Sequence, residues 1–131
     1  MWQLAFDRAL FVAVIVGLSA CTDPPMQPSA LVARALATAS LYSVRNKVEA
    51  KPSGGYSRVL PAGSRWMEMG TVAEGTVYEP RDTVMTVEAT NVSEAYIVVR
   101  DGLWVGFWLP VEKGFVAVEH AVPIQLQREG Q

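Results

Sequence analysis

The chain has one cysteine, Cys21, and one histidine, His120. A single cysteine leaves no internal disulfide, and a single histidine leaves no histidine-rich metal site. Neither a cofactor nor a metal is expected. An excess of positive charge is also missing, since eleven Lys and Arg stand against thirteen Asp and Glu. That balance is too acidic for a broad phosphate-binding face, so no nucleic-acid partner is expected. Charged residues are only 18% of the chain and apolar residues are half of it, which excludes a disordered polymer. Catalytic signatures are lacking as well. There is no Gly-x-Ser-x-Gly sequence, and His120 follows Glu119 with no third group to orient it as a base. The acid pairs Glu68/Glu74 and Glu79/Asp82 match a glycosidase pair in residue type only, and read as solvated surface. The expectation is a protein that is not an enzyme.

What is present begins with residues 9–20, ALFVAVIVGLSA. This twelve-residue run is short of the roughly 20 residues that span a bilayer. It has the length of the apolar region of a secretory signal peptide. It ends in Leu18-Ser19-Ala20-Cys21. Small residues at 19 and 20 let a cleavage site unwind into a protease cleft, and a cysteine supplies a nucleophilic sulfur.

Those four residues resemble the lipobox of bacterial lipoproteins. The resemblance covers the first two dozen residues only. It implies removal of residues 1–20 by lipoprotein signal peptidase and acylation of Cys21. It also implies a mature chain held on a membrane through lipid, without spanning it. Two or three acyl chains anchor stably where one does so marginally. Thr22 in the second mature position resembles outer-membrane members of that family, facing the periplasm. Asp23 in the third leaves the inner membrane open. Anchoring would consume the only thiol, which suits an oxidising compartment.

Residues 21–29 follow as a lipidated cysteine and a proline-rich tether, with three prolines among residues 22–29. A single α+β domain is expected over residues 30–127, and a polar tail over 128–131. Ser29 is a plausible helix N-cap, and Leu31, Ala35, Thr38, Ala39 and Tyr42 share one helical face. The spacing predicts a helix over residues 30–48, although residues 41–48 fit a strand equally well. Short strands are expected at 56–60, 65–72, 75–78, 83–89, 96–100, 103–109, 115–119 and 122–126, divided by turn residues. Asn91-Val92-Ser93 reads as a turn. The predicted fold is one N-terminal helix packed on a small antiparallel β-barrel, roll or sandwich.

The Asp101-Gly102 pair predicts a two-residue hairpin turn. An uninterrupted register would then oppose Val99 to Trp104, Val98 to Val105, Ile97 to Gly106 and Tyr96 to Phe107. Ile97, Val99, Trp104 and Trp108 would share one face, with Gly106 as a notch between the indoles. Both faces are apolar, so the hairpin should be covered on both sides, one of them by the helix. The indole face reads as core, as a partner groove or as a glycan platform. Trp66, after a Gly-Ser turn and beside Arg65, alternates with Glu68 and is expected on the more polar face. Arg65, Trp66, Trp104 and Trp108 are therefore the candidate binding residues.

Charge divides along the chain. Residues 30–65 hold Arg34, Arg45, Lys47, Lys51, Arg58 and Arg65 against Glu49 alone, while residues 66–131 hold ten acids against four basic residues. The two halves either neutralise one another on folding or leave a dipolar domain facing anionic lipid or an acidic partner. The functional expectation is a structural or accessory component of an envelope assembly, of secretion or conjugation type, working through contact with an envelope protein. The alternative is a periplasmic ligand-binding or inhibitor module, directed at a glycan or a lytic enzyme.

Overall fold

The computed structural model describes residues 26–35, 39–88 and 91–130. The signal-peptide reading, Cys21 and Thr38 lie outside the described residues. Every regular element among the described residues is a strand, so the expected α+β class is corrected to all-β. The described residues among 30–48 do not form the expected helix, and at Leu41–Val44 the alternative of a strand holds. They contribute β2 (Val32–Ala33), β3 (Leu41–Val44) and the start of β4 (Val48–Ala50). Two of the five residues on the helical face are alanine, a weak burial payload, while the edge of β6 (Arg65–Val72) offered backbone for pairing along its length. Val32 and Ala33 pair with Thr71 and Gly70, and Leu41 to Ser43 pair with Met67 to Arg65. Pairing with a distant strand overrides local helix propensity here.

A meander forms the centre. It runs through β6, β7 (Gly75–Pro80), β10 (Tyr96–Arg100), β11 (Leu103–Leu109) and β12 (Gly114–Pro123), each antiparallel to the next. It is closed twice. On one side, β1 (Gln27–Pro28) pairs with β12 and β2 pairs with β6, so residues 27–33 link the two edges. The sheet thus begins inside the stretch read as a tether. On the other side, the run that ends β12 continues into β13 (Leu126–Arg128), which pairs with β3, itself paired with β6. The described residues therefore form two rings that share the meander, and Arg128 belongs to the second rather than to a tail.

Each ring has its own core. Leu31, Met69, Val72, Val77, Val98, Trp108 and Phe115 fill the first. The second, larger core includes Val44, Trp66, Ile97, Trp104, Phe107 and Ile124. It is extended by Leu60 of β5 (Arg58–Leu60) and by Val87 of β8 (Thr86–Glu88), which pairs with β9 (Val92–Glu94). β9 takes in Val92 and Ser93 of the triplet read as a turn. The central hairpin is covered on both sides as expected, but by strands. Pro52 joins without a broken hydrogen bond, because its neighbours carry the bonds: Glu119 N–H donates to Lys51 C=O, and Ser53 N–H to Ala117 C=O.

Asp101 and Gly102 both have positive φ, 52° and 73°, as a two-residue hairpin turn requires. Val99 opposes Trp104 as the turn predicts. Beyond that the register slips by one, so Val98 opposes Gly106, Ile97 opposes Phe107 and Tyr96 opposes Trp108. Val105 is the extra residue of a β-bulge. Trp104 keeps its expected face with Ile97 and Val99, but beyond the bulge the faces are exchanged, so that Phe107 joins the second core and Trp108 the first.

Candidate functional site

The four expected binding residues do not come together. Trp66 is 1% exposed, its Nε1 donating to Ser64 Oγ at 3.1 Å. Trp104 is fully buried against Phe107, and its Nε1 donates to the Gly106 carbonyl at 3.0 Å. Trp108 donates from Nε1 to the Ser29 carbonyl at 2.9 Å. The Phe115 ring lies over Gly106, where a Cβ would meet it at 2.5 Å, so there is no notch between two indoles. Arg65 remains exposed and makes a bidentate pair with Asp82, at 3.1 and 2.9 Å.

The unequal charge of the two halves resolves mostly into ion pairs across them. Arg34 meets Glu68, Lys51 meets Glu119, Arg58 meets Glu88 and Arg65 meets Asp82. The Arg65 guanidinium, by its hydrogen bond, holds the Asp82 carboxyl below its ordinary value, and Arg58 does the same to Glu88. Glu74 accepts a hydrogen bond from Ser29 Oγ at 2.8 Å. Glu68, Glu74 and Asp82, three of the four acids weighed as glycosidase candidates, are thus engaged structurally. His120 is exposed on β12.

A cleft of about 580 Å³ opens at the mouth of the second ring. Its size falls in the range of small-ligand sites, and barrel mouths are a common place for them. Tyr42 of β3 and Tyr78 of β7 stand edge-to-face across β6, with ring centroids 5.4 Å apart and planes at 83°. Val99, Ile124 and Leu126 add apolar surface, Gln125 and Gln127 add amides, and Arg45 and Gly102 complete the lining. Burial, and then the nearby Glu68, push the Tyr78 hydroxyl up to about 12, so it stays protonated at neutral pH. Arg45 and Lys47 make no ion pair among the described residues, unlike their four basic neighbours in sequence. The lining holds no carboxylate, imidazole or thiol.

Residues from both faces of β13 line this cleft. Arg45 N–H donates to Gln125 C=O, and Glu129 N–H to Leu41 C=O. The odd-numbered residues of β13 therefore bond to β3, and the backbone groups of Leu126 and Arg128 point to the other edge. No described strand pairs with that edge. Sequence reasoning missed the cleft because its walls span residues 42 to 127 and meet only on ring closure. The one local signal was two cations, Arg45 and Lys47, around Asn46.

A second, smaller surface carries exposed Tyr56, Val59 and Val84 around the Arg58–Glu88 pair. It encloses only about 220 Å³ and has no unpaired charge at its centre. No protein-family model, curated protein or solved structure matches the chain.

Proposed function

We propose that this protein is a lipid-anchored accessory component of a bacterial envelope assembly, of secretion or conjugation type. Cys21 holds it on the outer membrane, facing the periplasm. The β domain holds a partner protein at the end remote from the anchor. The observation that carries this reading is the position of the cleft relative to the point where the chain enters the fold. Met26 packs beside Gly114, just past the Leu109 end of β11. Gly102, which lines the cleft, precedes the opposite end of the same strand. Seven residues at about 3.3 Å each separate the two ends by roughly 20 Å. Cys21 lies six residues before Gln27, a reach of at most about 20 Å. The entry end therefore stays near the lipid, and the cleft opens away from it, where a partner in the aqueous compartment reaches it.

Metabolic labelling with an acyl analogue tests the anchor. The native chain should take up label and partition into detergent, and Cys21→Ser should do neither. A native chain without label, recovered in the aqueous phase, overturns the reading.

A further inference from the structure

Resting on the reading of a partner-holding domain, we propose that the cleft takes an extended acidic segment of the partner, which adds as a strand to the free edge of β13 and sets a carboxylate against Arg45. The outward backbone groups of Leu126 and Arg128 supply the main-chain hydrogen bonds for strand addition. A cleft lined from both faces of β13 follows that edge rather than sinking beneath the sheet. Side chains of an added strand alternate in direction. Those directed inward meet Val99, Ile124 and Leu126, and those at the rim meet Gln125, Gln127 and Arg45.

Charge sets the sign of the occupant. Six basic residues lie in residues 30–65, and four of them are matched by acids from the second half. Arg45 and Lys47 are left, and Arg45 is on the cleft wall. A guanidinium with no carboxylate partner among the described residues is complementary to one from another chain, and it binds such a group in a planar two-point geometry. The Tyr78 hydroxyl does not compete as an anion, because burial keeps it protonated.

The test uses the full chain in non-ionic detergent and an array of heptapeptides. These carry Val or Thr at alternate positions and Asp, Glu, Asn or Gln at the others. Peptides with Asp or Glu should be retained about tenfold better than their Asn or Gln counterparts, the size of one charge-assisted hydrogen bond. The preference should fall as salt rises and vanish in Arg45→Gln. Methylating every second peptide nitrogen should abolish retention in one phase and spare it in the other, because only one set of amides faces β13. Equal retention of acidic and neutral peptides overturns the carboxylate, and equal tolerance of both methylation phases overturns strand addition. A dimer that Leu126→Pro dissociates, with no peptide retained, assigns the edge to a second copy of the chain and also overturns the proposal. The wider reading falls on a different result, an unlabelled Cys21, which leaves peptide retention unaffected.

Discussion

Gly70→Ala should cost the fold roughly 3–5 kcal/mol, combining backbone strain with overpacking. Gly70 sits at φ 148°, and a Cβ there would lie 2.1 Å from the Val32 carbonyl oxygen and 2.9 Å from the Ala33 Cα. Both neighbours are backbone and cannot rotate away. They belong to β2, which closes the first ring against β6. The added methyl would therefore push apart the seam that covers Leu31, Val72 and Trp108. Against a typical net stability of about 5–15 kcal/mol, such a loss brings a small domain close to unfolding. Gly63→Ala is the control. Its φ is 82° with nothing within 4 Å, so only backbone strain of about 1–2 kcal/mol applies. Urea denaturation of residues 26–131 measures both. Equal, small losses would mean that Val32 and Ala33 do not lie against β6.

Trp66→Ala should cost about 3–5 kcal/mol, as truncations of buried large aromatics do. The indole is 1% exposed, packs in the second core and satisfies its N–H on Ser64. The same denaturation series checks it. A loss below about 1 kcal/mol would return Trp66 to the surface, where sequence alternation had placed it. Trp66 and Glu68 do share a face of β6, as the alternation requires. That face turns toward the core at Trp66, while farther along Glu68 meets Arg34.

The parts of the fold that were legible in the sequence are those set by neighbours in the chain. β6, β10 and β11 have the expected bounds because turn residues frame them: Pro61 to Ser64 before β6, and Asp101-Gly102 between β10 and β11. Apolar residues on both faces of the hairpin correctly implied cover on both sides. The bulge at Val105 was not legible, since its signature is the partner register rather than composition. Neither was the strand character of Val32–Ala33, whose pairing partners lie 37 to 39 residues away along the chain, and at Leu41–Val44 a strand was legible only as an alternative to helix. The division of charge was visible, and its bland explanation accounts for four of six basic residues. The remaining two gained significance only when ring closure brought Arg45 beside Gln125. The candidate site was thus hidden for the same reason as the second ring: it is built from residues that the sequence keeps far apart.

Photo-crosslinking in living cells tests the central claim most directly. A photoreactive residue is placed at Gln127, in the cleft, or at Val111, an exposed position in the turn beside the chain's entry, with Cys21 left intact. The account predicts a discrete protein adduct from Gln127 in the membrane fraction, weakened by Arg45→Gln, and no such adduct from Val111. Protein adducts from Val111 with none from Gln127 would contradict it.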